Sequence, residues 1–121
     1  MKKKILIVDD SATIREQVSL SLTQAGFEVI EAVDGEDGIR KLRDNAISAV
    51  LCDVHMPGKS GIELLEEIKQ DGANAQLPIV MLTSDAQADL VQRGKRAGAR
   101  AWIVKPCAPH LLVAAIQKLT A

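Results

Sequence analysis

Aromatic residues are nearly missing from this chain: one Phe, one Trp and no Tyr, 2% of 121 residues. A flavin-binding module on an α/β scaffold needs rings to stack on its cofactor, and only Phe27 and Trp102 are on offer. Cysteine is scarce as well. Cys52 and Cys107 form no CxxC spacing and are read as reduced, small, apolar side chains. Long apolar runs are absent. Met1-Lys2-Lys3-Lys4 followed by Ile5-Leu6-Ile7-Val8 begins like a signal peptide, but the run stops at Asp9-Asp10, far short of a leader core or a bilayer span. The expectation is a cytoplasmic protein with no membrane insertion. An excess of one charge sign is missing too: the net charge is -1, which gives no global pull toward nucleic acid or an anionic surface. Neither a GxxxxGK nor a GxGxxG phosphate loop occurs.

What is present is an ordinary globular composition, 47% hydrophobic and 26% charged, in a chain of about the commonest domain length. One domain, residues 1–121, with no output domain is the expectation. Five short apolar segments recur: Ile5–Val8, Glu28–Ala32, Ala49–Cys52, Ile79–Leu82 and Ala101–Val104. Most are continuous rather than alternating, as in strands covered on both faces. Helical spacing fills the gaps, with Ile14, Val18, Leu22 and Ala25 on a first face, Ile39 and Leu42 on a second, and Ile62, Leu65 and Ile68 on a third. Leu112, Ile116 and Leu119 mark the last helix.

Punctuation agrees with this division. Ser60 and Glu63 have capping-box spacing, Gly26 and Gly98 suit helix ends, and Pro109 suits a first turn. The fourth helix, read over 86–97, is weak, because Leu90 and Val91 are its only large apolar residues and Gly94 costs about 1 kcal/mol relative to Ala. Strand and helix alternating five times predict a doubly wound α/β fold, with five parallel strands joined by right-handed crossovers and helices on both faces; the order 2-1-3-4-5 is the one known for this class.

In such sheets ligands sit beyond the carboxyl ends of the strands. Those ends carry Asp9-Asp10, Asp53, Thr83-Ser84 and Lys105-Pro106. Three clustered carboxylates repel one another unless a proton or a cation intervenes. With no soft ligand nearby, an all-oxygen set suits Mg²⁺. Asp53, alone on its strand, is the natural nucleophile toward phosphorus, with Lys105 and Thr83 placed to meet the transferring oxygens. Simpler roles compete: Asp10 or Ser11 as cap of the first helix, Ser84 as cap of the fourth, Lys105 as a solvated strand end.

Taken in order, Asp9-Asp10, Asp53 in Asp53-Val54-His55-Met56-Pro57-Gly58, Thr83-Ser84 and Lys105-Pro106 resemble the receiver domain of two-component response regulators along the whole chain. The shading is toward stand-alone, CheY-like chemotaxis regulators with a flavodoxin-like fold. The resemblance implies that Asp53 accepts a phosphoryl group from a histidine kinase. It implies Mg²⁺ held by Asp9, Asp10, Asp53 and the backbone carbonyl of His55, and a cis Lys105-Pro106 bond. Thr83 and the strand-five aromatic, here Trp102 in place of the usual Tyr or Phe, form the switch. Side chains at His55 and Asp85 tune loss of the phosphoryl group. The implied output is a monomer binding a flagellar motor switch protein, or another target, through the face of helix 4, strand 5 and helix 5. A phosphatase is a further implied partner.

Rival readings are a phosphate sink or relay intermediate, which shares every site residue, and an aspartyl-phosphate phosphatase. The latter type has a second acid two residues after its nucleophile, where this chain has Ser11 and His55. The basic cluster Arg93, Lys95, Arg96 and Arg100 reads as a solvated helix end rather than a nucleic-acid surface.

Overall fold

The computed structural model describes residues 2–121. Five strands, β1 (Lys4–Val8), β2 (Glu28–Ala32), β3 (Ala49–Cys52), β4 (Ile79–Thr83) and β5 (Ala101–Val104), alternate with five α-helices. The helices are α1 (Ala12–Gln24), α2 (Gly35–Asp44), α3 (Gly61–Gln70), α4 (Ala88–Ala97) and α5 (Pro109–Leu119). All strand pairings are parallel, as the strand–helix alternation predicts, and the order is β2-β1-β3-β4-β5, the one expected for this class.

The continuous apolar runs divide by parity, because successive side chains on a strand point to opposite faces. Leu6, Val8, Val50 and Met81 enter one core with Ile62, Leu65 and Ile68 of α3, flanked by Ile39 of α2 and Leu90 of α4. Ile5, Ile7, Leu51 and Val80 enter the other with Leu22 of α1 and Leu112 and Ile116 of α5. Each fully buried Ile or Leu contributes roughly 1.5–3 kcal/mol, so the two cores clamp the sheet between helical layers.

Local signals explain most helix boundaries. At α3 the Ser60 hydroxyl accepts from the Glu63 amide and the Glu63 carboxylate accepts from the Ser60 amide. Asp34, which the hydrophobic pattern alone leaves unmarked, caps α2 by accepting from Asp37. Of the two candidates for α1, Ser11 is the cap, its hydroxyl accepting from Ile14 at 3.3 Å.

The fourth helix departs from the sequence reading in its start, Ala88 rather than Ala86, and in one competing role. Ser84 does not cap α4, which starts at Ala88 with Gln87 in the cap position and no side-chain cap bond. The intervening loop is organised by Asp85 instead. The mid-helix Gly94 that weakens α4 on propensity also has a steric cause: a Cβ there would stand 2.6 Å from Cζ3 of Trp102.

Candidate functional site

Strand register brings the site together. Val8 pairs with Cys52, so the next residues on each chain, Asp9 and Asp53, leave the sheet side by side. The Asp53 amide donates to Val8 O at 3.0 Å, and the Asp9 amide donates to Ala32 O at 3.2 Å. On the other side Thr83 pairs with Val104, and the Lys105 amide donates to Thr83 O at 2.8 Å. The Lys105-Pro106 bond is cis, as the resemblance implies. The apolar strand β3 therefore ends on a carboxylate because that carboxylate faces a neighbouring strand end.

One ligand oxygen from each of Asp9, Asp10 and Asp53 lies within 4.8 Å of the other two. Asp9 is buried at 2% exposure, Asp53 is half-buried and Asp10 exposed. Lys105 reaches across the sheet edge, its Nζ 3.0 Å from Oδ2 of Asp9 and 3.3 Å from Oδ2 of Asp53. Burial pulls the Lys105 ammonium down, but hydrogen bonding to Asp9 and the charges of Asp9 and Asp53 outweigh it, so its pKa ends above the ordinary lysine value.

Like charges at this spacing repel by about 3–4 kcal/mol per pair at an effective dielectric near 20. One ammonium against three carboxylates leaves two negative charges. The donors are all oxygen, without thiolate or imidazole among the three, and a hard divalent cation of Mg²⁺ type fits that charge and donor set.

Two of the three carboxylates are also oriented by backbone. Asp9 Oδ1 accepts from the Ser11 amide at 2.8 Å and Asp53 Oδ1 from the Val54 amide at 2.7 Å. Behind Asp53, the first residue of α3 is Gly61, where a Cβ would lie 2.0 Å from Asp53 O. Only a residue without a side chain lets α3 start there.

Thr83, fully buried, makes no hydrogen bond to the acidic trio; its hydroxyl accepts from the Asp85 amide at 3.3 Å. Asp85 joins the remaining residues named from sequence. Its Oδ1 accepts from the Gln87 amide, its Oδ2 lies 2.7 Å from Nε2 of the exposed His55, and its carbonyl accepts from Nε1 of Trp102 at 2.9 Å. The Gln87 amide, then the hydrogen bond with His55, hold the Asp85 carboxyl below its ordinary range. Trp102 lies half-buried under α4 against Gly94, on the edge strand, joined to the core of α3. Sequence spacing marks His55 and Asp85 separately; nothing local shows that they meet across 30 positions.

A family model for the response regulator receiver domain matches residues 5–117. The chain belongs to this family.

The receiver is 39% identical over 115 residues to the phosphate regulon transcriptional regulatory protein PhoB of Pseudomonas aeruginosa, covering 95% of this chain and 50% of that protein. PhoB of Escherichia coli is 37% identical over 117 residues, 97% of this chain and 51% of that protein. The chain thus spans about half the length of the curated relatives it matches. Among solved structures, the chemotaxis protein CheY4 of Vibrio cholerae aligns with a TM-score of 0.94 at 35% identity, covering 98% of this chain and 99% of that one. A CheY-like receiver domain protein from Methanospirillum hungatei aligns at 0.92 and 32% identity, covering 98% and 94%. No helix among the described residues is long and apolar enough to cross a membrane.

Proposed function

We propose that this receiver takes a phosphoryl group onto Asp53 from a phosphohistidine of a histidine kinase, with Mg²⁺ as cofactor, and signals by binding a partner protein according to its phosphorylation. The observation that supports this best is the mutual placement of Asp53, the paired acids and the Lys105 ammonium at one sheet edge. Asp9, Asp10, Asp53 and the His55 carbonyl are the proposed metal ligands. Mg²⁺, when bound, offsets negative charge on the transferring oxygens. An Asp53 carboxylate oxygen attacks phosphorus, the P–N bond to the kinase histidine breaks, and its electron pair stays on the imidazole. Lys105 then moves its ammonium from the free carboxylates toward a phosphoryl oxygen. No turnover beyond transfer to Asp53 and hydrolysis of that acyl phosphate belongs to this reading.

Asp85 supplies a route for the signal. When the Thr83 hydroxyl turns to donate to a phosphoryl oxygen, it gives up the bond from the Asp85 amide. The same residue's carbonyl holds the Trp102 indole, so the ring and the α4–β5–α5 face respond to the site. A near-complete switch needs about 5.5 kcal/mol of bias, part of which the added charge of about -1.5 to -2 supplies.

The likeness to CheY4 favours a monomeric, cytoplasmic chemotaxis regulator whose partner is a flagellar motor switch protein, with a phosphatase to reset it. The likeness to PhoB favours a second reading, a receiver controlling a transcriptional regulator. A phosphate sink or relay receiver shares the same chemistry without either output. Binding of the phosphodonor-treated protein to the motor switch protein separates these. Tighter binding after treatment with Mg²⁺, lost in Asp53→Asn, supports motor control; equal binding by treated and untreated protein removes it.

A further inference from the structure

Arg15 lies one turn into α1, and its side chain is only 14% exposed, unusual for a guanidinium on an outer helix. Its partners account for the burial. Nη1 donates to the carbonyl of Asp9 at 2.5 Å, and Nε lies 3.4 Å from Oε1 of Glu31 on β2. That carbonyl belongs to the peptide unit joining Asp9 to Asp10, and a peptide unit is planar. The preceding peptide is held as well, by the Asp9 amide on Ala32 O. Both planes flanking Asp9 are therefore fixed, one by the sheet and one by Arg15. Asp9 has further anchors in Ser11 and Lys105. Asp10 is the exposed member of the trio, and its side chain leaves from the plane that Arg15 fixes.

We propose that Arg15 is a positioning residue for the acidic site: by holding the Asp9–Asp10 peptide it aims Asp10 at the point between Asp9 and Asp53, and Glu31 holds the guanidinium in place. This rests on the reading that the trio takes Mg²⁺. Geometry and charge act in opposite directions here, which makes the proposal testable. A guanidinium near a cation site repels the cation, so charge alone makes removal of Arg15 tighten metal binding. Positioning makes removal weaken it. Lysine keeps the charge but, as a hydrated point charge on a flexible stem, does not reproduce the two-armed fork.

The test is calorimetric titration of the full chain with Mg²⁺ for wild type, Arg15→Met, Arg15→Lys and the charge-balanced pair Arg15→Met with Glu31→Gln. Thermal midpoints without metal identify the folded variants. The expected result is binding weaker by about tenfold in Arg15→Met and in the double variant, the scale seen when groups orienting metal ligands are removed. Arg15→Lys is expected to fall several-fold short of wild type, and this variant carries the test if the methionine proteins do not fold. Wild-type or tighter affinity in folded Arg15→Met, or full recovery in Arg15→Lys, overturns the proposal. A folded wild type that binds no Mg²⁺ overturns the reading of the trio itself, a separate outcome.

Discussion

Gly94→Ala should destabilise this receiver, although alanine is favoured over glycine by about 1 kcal/mol in a helix interior. The new methyl group would lie 2.6 Å from Cζ3 of Trp102, 3.2 Å from Cε3 and 3.4 Å from Cδ1 of Ile62. The indole is not free to retreat. Its N–H is bound to Asp85 O at 2.9 Å, and the residue sits in β5 paired with Met81. Overpacking of this sort costs about 1–3 kcal/mol. Subtracting the propensity gain leaves a net loss of about 1 kcal/mol. In a Trp102→Leu background the six-membered ring is gone, and the same glycine change should stabilise by about 1 kcal/mol, reversing the sign. Urea unfolding of the four proteins, with midpoints compared at common slope, measures both changes. Trp102 emission should also shift in Gly94→Ala, since the displaced ring loses its place under α4. A stabilised Gly94→Ala, or the same change in both backgrounds, refutes the packing explanation.

Gly61→Ala should cost about 3 kcal/mol, because its Cβ meets backbone, Asp53 O at 2.0 Å, rather than a movable side chain; Asp53→Asn, assayed the same way by urea unfolding, should leave the fold intact. Asp85→Asn should flatten the acid limb of the stability profile. The Asp85 carboxyl is held below its ordinary 3.8, so its stabilisation is present above that pH and is lost as pH falls through the lower folded value. Urea midpoints at pH 5 and at about pH 3 should therefore differ less in the variant than in wild type, and an unchanged difference contradicts the assignment. Thiol alkylation of the native protein should label the half-buried Cys107 and spare Cys52, which burial and the charges of Asp53 and Asp9 push far above the ordinary thiol range. Native labelling of Cys52 at the rate seen in urea would contradict that.

The sheet could be read in the sequence because its strands are buried on both faces. Ile5–Val8 and Ala49–Cys52 are continuous apolar runs whose termini are marked by the acids themselves. The Ser60–Glu63 capping box is legible for a related reason, since both partners lie within one turn. Ser84 misled because a hydroxyl before a helical stretch reads as a cap, whereas the β4–α4 loop is held by Asp85 through bonds to Thr83, His55 and Trp102. Thr83 is two residues away, but His55 and Trp102 come from distant segments, so no local pattern reports those two bonds. Gly94 shows the same limit: propensity sees a weakened helix, and only the tertiary fit of Trp102 explains the glycine. Among the site residues, the acids and Lys105 were visible as strand ends. Arg15 was not, because an arginine on an outer helix reads as solvated until its two partners are in place.

Intact mass after incubation with a small phosphodonor, with and without Mg²⁺ and alongside Asp53→Asn, tests the acceptor assignment most directly. The expected result is a labile gain of one phosphoryl group by the wild type, dependent on the metal and absent from the variant. A folded wild type that gains nothing under either condition, or an Asp53→Asn protein that gains as much, contradicts the assignment of Asp53 as the acceptor.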